Sequence, residues 1–100
     1  MKSAYKIEWT DNALAELNAV YTYLEDNWTE KELRNLSIEI EQTIKLISDN
    51  PKIFPLSDTM RVRRAIIKKL NTLYYREMKE NRIEILSFFS NRQNPNKRKI

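Results

Sequence analysis

The side chains best suited to chemistry in this sequence are cationic, and most of them lie in its second half. Residues 51–100 carry thirteen Lys/Arg and four Asp/Glu, a net charge of +9, whereas residues 1–50 carry five and ten, a net charge of −5. This division predicts a basic face suited to nucleic acid, a ribosome or an acidic protein partner. The alternative is that these charges only keep the surface solvated.

The residue types that are missing narrow the chemistry further. The sequence has no cysteine, no histidine and no glycine. Without cysteine there is no disulfide, thiolate metal site or cysteine nucleophile, and without histidine the usual general base near neutral pH is absent. Without glycine there is no Gly-rich phosphate-binding loop. We therefore expect neither a metal nor a cofactor.

Length and composition predict one soluble domain. Its 100 residues are 41% hydrophobic and 32% charged, which is typical of a globular chain and not of a disordered one. We expect a single domain over residues 1–100, with a basic, flexible tail from about residue 94. Nothing resembles a signal peptide or an apolar membrane span, so we expect a cytosolic protein.

The first half is predicted to form a strand and two helices. Alternation over Ala4–Trp9 favours a strand, and the polar residues that follow favour a helix from about Asp11 to Asn27. A capping box that begins at Thr29 starts a second helix, which ends before Pro51. The predicted apolar stripes are Leu14, Leu17, Tyr21, Leu24 and Trp28 on the first helix, and Leu33, Leu36, Ile40, Ile44 and Ile47 on the second.

The second half is predicted to form three strands joined by short turns. The strand-like runs are Met60–Ile67, Thr72–Met78 and Arg82–Phe89, and the asparagines that suit positive φ in their turns are Asn71 and Asn81. Alternation places Arg61 and Arg63 on one face of the first run and Arg64 on the other. The core face of the last run is either Ile83, Ile85 and Phe89, or Leu86 and Phe88.

The predicted order is therefore β-α-α-β-β-β in an α+β fold. A helical hairpin with one apolar stripe per helix needs a surface to cover, and a sheet with one apolar face needs a cover. We expect two layers, with the hairpin packed on a three- to four-stranded antiparallel or mixed sheet.

Four stretches in this order resemble the RelE/ParE superfamily of toxins from type II toxin–antitoxin systems, and the ParE-like members more than the RelE-like ones. They are IEWTDNALAEL, YTYLEDNW, ISDNPKIFPLSD and VRRAIIKKLNTLYYREMKENRIEILSFFSNRQNP. The resemblance implies the predicted two-layer fold. It also implies one of two activities, since RelE-like members cleave mRNA in the ribosomal A site and ParE-like members inhibit DNA gyrase.

The RelE-like catalytic pattern is only partly present. The arginine that follows the last strand in that pattern matches Arg92, but the arginine near the start of the third strand falls on Thr72. The Tyr or His expected near the C-terminus is also missing from NPNKRKI. A nuclease of this type would have to use Arg92, Arg64, Lys68 and Arg76 to stabilise the phosphorane, without an obvious acid.

The resemblance therefore favours gyrase inhibition of the ParE type. The alternatives are a ribosome-dependent mRNA endonuclease and a non-toxic binding module that has kept the fold. The implied partner is an acidic antitoxin, with an amphipathic helix and an extended strand, in a toxin–antitoxin hetero-oligomer. The residues expected to contact the target or the antitoxin are Arg61, Arg63, Arg64, Tyr74, Arg76 and Arg92.

Overall fold

The computed structural model describes residues 5–27, 29–57, 61–67 and 71–90. Within these ranges the predicted element order is confirmed. The elements are β1 (Lys6–Trp9), α1 (Asp11–Asn27), α2 (Glu30–Asp49), β2 (Arg63–Ile67), β3 (Asn71–Met78) and β4 (Arg82–Ser90). The proposed tail from about residue 94 and Trp28 lie outside the described residues.

The described strands form a mixed sheet in the order β1-β4-β3-β2. β1 runs parallel to β4, in register from Lys6 opposite Arg82 to Trp9 opposite Ile85. β2, β3 and β4 are joined by antiparallel pairings. The first and last strands of the chain are therefore neighbours, and the two helices cover one face of the sheet, as predicted. Neither helix has an apolar stretch long enough to span a membrane in the part of the chain that the structure describes.

The apolar stripe of α2 is confirmed, and that of α1 is rotated from its prediction. On α2, Leu36, Ile40 and Ile47 are buried. On α1, Leu14 is 43% exposed, whereas Ala13 is fully buried. The small side chain of Ala13 lets the first turn of α1 lie close to β4, and the buried face continues through Leu17, Val20 and Leu24.

A β-bulge in β4 explains why neither predicted core face of the last strand was correct as a whole. Tyr75 pairs with Ile85, but Tyr74 pairs with Ser87, so Leu86 is an extra residue on β4. An extra residue reverses the phase of the alternation. Ile83 and Ile85 are buried before the bulge, and Phe88 is buried after it, while Phe89 is 38% exposed.

The start of β2 and one of the turns also differ from the prediction. Arg61 lies in a turn before β2 with φ at 58°, so the strand is shorter than the run Met60–Ile67. Asn81 has the predicted positive φ of 57°. Asn71 instead begins β3 and is buried, where its side-chain Nδ2 donates to the Ile67 carbonyl at 3.2 Å. The amide thus satisfies a buried backbone acceptor.

Candidate partner-binding surface

The face of the sheet opposite the helices gathers three of the predicted site residues. Arg64 on β2 is directly opposite Tyr74 on β3, and Arg76 follows two residues later on the same face of β3. Arg64 is exposed, and its guanidinium has no hydrogen bond or ion pair with any described residue. This face, which we call the open face, therefore presents an exposed arginine, with no counter-charge among the described residues, beside a half-buried tyrosine.

One end of the open face is charge-compensated. Arg76 Nε lies 3.0 Å from Glu84 Oε1, and Arg82 Nη1 lies 3.2 Å from Glu8 Oε1. Glu8 and Glu84 are register partners across the parallel pair, so the two ion pairs stand side by side. Partly exposed pairs of this kind contribute little to stability, about 0 to 1 kcal/mol, but they neutralise the cations that they engage.

The other end of the open face is apolar. Ile66 is 58% exposed and Phe89 is 38% exposed, and both are register partners of Thr72, one on each side. Phe89 reaches this face because the bulge at Leu86 reverses the alternation of β4. Exposed apolar side chains beside an exposed arginine and a tyrosine are typical of a protein-binding surface.

Arg63 is not on the open face, and its side chain has a structural role. It shares the helix-covered side of β2 with the buried Ala65 and Ile67. Its Nη1 donates a hydrogen bond to the Phe54 carbonyl at 2.8 Å, which ties the loop after α2 to the sheet. The target or antitoxin contact by Arg63 stays a prediction, and this side chain already has an intramolecular partner.

Tyr75 on β3 holds the same loop through a hydrogen bond and a ring contact. Its hydroxyl donates to the Pro51 carbonyl at 2.7 Å, and its ring meets Phe54 edge-on with centroids 6.5 Å apart. Burial raises the pKa of Tyr75 to about 12; the positive charge of Arg63 and a backbone hydrogen bond from Phe54 lower that pKa, and the negative charge of Glu77 raises it. The buried hydroxyl therefore stays protonated at neutral pH and acts as a donor.

Arg61 lies apart from Arg63 and Arg64. It is exposed and borders two open cavities of about 290 and 490 Å³ at the β2 edge of the sheet. The prediction that Arg61 and Arg63 project together from one strand is wrong in part, because Arg61 precedes the strand. The smaller cavity is also lined by Lys52, Leu56 and Glu77, which were not among the predicted site residues.

The possible nuclease residues are only partly described by the structure. Arg64 and Arg76 share the open face, while Lys68 and Arg92 lie outside the described residues. The described residues contain no group of three or more acidic side chains placed to hold a metal ion. The sequence contains neither histidine nor cysteine to supply other ligands.

The family model described as the ParE toxin of the type II toxin–antitoxin system parDE matches residues 7–95. No curated protein matches the chain significantly. A solved structure described as the chromosomal ParDE toxin–antitoxin system from P. aeruginosa is 23% identical, covers 87% of this chain and 96% of its own, and gives a TM-score of 0.68.

A second structure has the same architecture. The solution structure of a conserved hypothetical protein from Helicobacter pylori is 15% identical, covers 86% of this chain and 93% of its own, and gives a TM-score of 0.57. At these identities the structural matches show the fold alone. The family match extends over nearly all of the described elements, from β1 to the end of β4. The chain therefore belongs to the family of ParE toxins of type II toxin–antitoxin systems.

Proposed function

We propose that this ParE-family toxin inhibits DNA gyrase by binding it, and that a cognate acidic antitoxin neutralises the toxin. The observation that carries the proposal is the composition of the open face. Arg64 and Tyr74 stand between exposed Ile66 and Phe89 on one side and compensated ion pairs on the other. Such a surface suits binding to a protein, because it combines an aromatic side chain, an exposed arginine and apolar area.

The same face is poorly suited to RNA cleavage of the RelE type. A phosphorane needs uncompensated positive charge and groups that transfer protons. Arg76 shares its charge with Glu84 at 3.0 Å. Thr72 stands where the RelE-like pattern has an arginine, and the sequence has no histidine. Among the described members of the possible catalytic set, this leaves Arg64 as the uncompensated cation.

The antitoxin has an edge of the sheet on which to add a strand. Arg64 N–H donates outward to the Pro55 carbonyl at 3.1 Å, so β2 is covered at its beginning. Ile66, two residues later, directs its backbone groups to the same side, where none of the described residues pairs with it. An extended antitoxin segment could pair here while a helix covers the neighbouring apolar area.

The proposed place of action is the cytoplasm, where gyrase and DNA are found, and the proposed neutralised form is a toxin–antitoxin hetero-oligomer. A supercoiling assay with purified gyrase tests the activity. The wild-type protein should inhibit supercoiling, and Arg64→Gln should weaken inhibition at least about tenfold, as expected for a central interface arginine. Arg34→Gln, which removes an exposed arginine from α2, is the matched control and should inhibit like the wild type.

Three results would contradict the proposal. Unimpaired supercoiling at saturating wild-type protein would exclude gyrase as the target. Cuts in ribosome-bound message, detected by primer extension and lost in Arg92→Ala, would instead assign the mRNA endonuclease activity. Normal growth on expression without the antitoxin would favour the non-toxic binding module.

A further inference from the structure

A notch at one corner of the sheet arises because β2 is shorter than β3. The first residue of β2, Arg63, pairs with Tyr75, so Arg76–Met78 of β3 have no β2 partner. The two cavities lie along this unpaired length and share Arg61 and Glu77. We call the two together the corner cleft. Its described lining residues are Lys52, Leu56, Arg61, Arg63, Arg76, Glu77, Met78, Lys79 and Arg82.

Arg61 occupies an unfavourable backbone conformation at the centre of this cleft. Its φ is 58°, which lies in the left-handed region. A residue with a Cβ carries a steric cost in this region, and glycine or asparagine adopts it more readily. Its exposed side chain makes no hydrogen bond or ion pair with the described residues that would offset that cost. A strained and exposed cation between two cavities, with no counter-charge among the described residues, is suited to binding a ligand outside the chain.

The other cations of the corner cleft differ in their availability. Three of them already have partners: Arg76 pairs with Glu84, Arg82 pairs with Glu8, and Arg63 donates to the Phe54 carbonyl.

The two lysines are more available. Lys52 Nζ lies 3.3 Å from Glu77 Oε1 in an exposed pair that a competing anion could replace. Lys79 is exposed and accepts a hydrogen bond from Arg82 Nε at its backbone carbonyl, but its ammonium group, like the Arg61 guanidinium, has no partner among the described residues. An incoming anion would therefore meet Arg61 and Lys79 first.

The lining favours a peptide over a nucleic acid. Leu56 is 54% exposed at one end of the cleft, and Met78 lines the other. None of the described lining residues is aromatic, so they offer no surface on which bases could stack. Aliphatic side chains beside free cations suit a segment that carries both carboxylates and an aliphatic residue, and methionine adapts to many shapes.

We infer that the corner cleft binds a carboxylate-rich segment of the antitoxin, with an aliphatic side chain against Leu56 or Met78 and carboxylates at Arg61 and Lys79. This inference rests on the proposed function for the existence of the antitoxin partner. It concerns a surface that the open-face contacts of Arg64 and Tyr74 do not include.

The test measures binding of the proposed antitoxin, expressed from the neighbouring reading frame, to Arg61→Asn, to Lys79→Gln and to the double variant. Asparagine tolerates positive φ, so Arg61→Asn removes the charge without adding strain, and its urea midpoint should not fall below that of the wild type. Each substitution should raise Kd about tenfold, through a faster koff as charge-assisted contacts are lost and a slower kon as steering charge is removed. Arg34→Gln should leave Kd unchanged.

The outcomes separate the inference from the proposed function. If the antitoxin binds the wild type but the double variant binds within twofold of it, the corner cleft is not its site, although the toxin–antitoxin pairing stands. If the wild type forms no complex at all, the pairing itself fails. If the double variant binds the antitoxin normally but loses affinity for a dT20 oligonucleotide, the cleft is a nucleic-acid site and the inference is wrong.

Discussion

Glu16 on α1 accepts a hydrogen bond from the backbone N–H of Phe88 on β4, at 2.9 Å, across 72 residues of sequence. The same oxygen, Oε1, accepts from Ser87 Oγ at 2.7 Å and from Asn12 Nδ2 at 3.3 Å. The pairing of β1 with β4 ends at Ile85, so the following part of β4 has no β1 neighbour. Beyond that point, the Glu16 carboxylate on α1 accepts the backbone N–H of β4 that a neighbouring strand would otherwise bind.

The bulge at Leu86 is held by the same turn of α1. Asn12 Nδ2 donates to the Leu86 carbonyl at 3.0 Å, and Thr10 Oγ1 donates to the Ile85 carbonyl at 2.9 Å. Thr10 Oγ1 also accepts from the Ala13 N–H at 3.1 Å, which caps the helix. These contacts fix the phase of β4 that brings Phe89 to the open face.

Removing the Glu16 carboxylate should destabilise the fold. Glu16→Ala leaves the Phe88 N–H without its charged acceptor, and hydrogen bonds to charged groups contribute about 1.5 to 3 kcal/mol. We expect a loss of that size in the free energy of unfolding, measured by urea denaturation. Glu16→Gln keeps an acceptor oxygen and should lose about 1 kcal/mol or less. Equal stability of the two variants would show that the carboxylate does not hold β4.

Tyr75 predicts an alkaline loss of stability. Its pKa is raised from 10.0 to about 12 by burial, so the folded protein disfavours the phenolate that the unfolded chain forms. The stabilisation is complete below pH 10 and is lost as the pH rises towards 12. At about 1.4 kcal/mol for each unit of separation between the two pKa values, the loss amounts to roughly 2 to 3 kcal/mol.

Tyr75→Phe isolates this contribution. The variant should lose about 1 kcal/mol at pH 7, because the Pro51 carbonyl loses its donor. Its stability should then fall less steeply than that of the wild type between pH 10 and 12. Tyr74→Phe removes a hydroxyl from the other face of the same strand and should keep the steep fall. Parallel pH profiles for wild type and Tyr75→Phe would refute the assignment.

The order and type of the elements could be predicted because the sequence marks their ends with local chemistry. Thr29 accepts the Glu32 N–H at 3.3 Å as the N-cap of α2, and Asn50 closes that helix before Pro51. The rotation of α1 could not be predicted in the same way, since Ala13 and Leu14 are adjacent and hydrophobicity alone favours Leu14. Burial of Ala13 is decided by close packing on β4, which is a tertiary effect.

The candidate site was harder to predict for a related reason. The arginines at 61, 63 and 64 look equivalent in sequence, but they face a cavity, a loop carbonyl and solvent respectively. What separates them is the point at which β2 begins, and no local signal marks it. The bulge at Leu86 could not be predicted either, because alternating residues on both faces of β4 are apolar and neither face stands out as the core face.

Arg63 and Arg64, although adjacent, should therefore respond differently to substitution. Arg63→Gln removes the guanidinium donor to the half-buried Phe54 carbonyl and should cost about 1 to 2 kcal/mol of unfolding free energy. Arg64→Gln should change stability by less than about 0.5 kcal/mol, because its side chain is exposed and unengaged among the described residues. Thermal or urea unfolding of both variants checks the contrast. Equal losses would remove the distinction between a structural and a binding arginine.

Association with the acidic antitoxin should be fast and sensitive to salt. The net charge of +9 over residues 51–100 creates a field that steers an acidic partner towards the basic face. Raising the ionic strength from about 0.05 to about 0.5 M should lower kon about tenfold or more and change koff less. Stopped-flow mixing at a series of salt concentrations measures both rate constants.

Substitutions in the two halves of the chain show which charges attract the antitoxin. Arg64→Gln combined with Lys79→Gln removes two exposed cations from the basic half, so kon should become slower at low salt and its salt dependence shallower. Arg34→Gln removes one charge from the acidic half, on the exposed side of α2, and should change the salt slope by much less than half as much. An equal change in slope per charge removed, in the double variant and in Arg34→Gln, would mean that net charge, and not a basic face, controls the encounter.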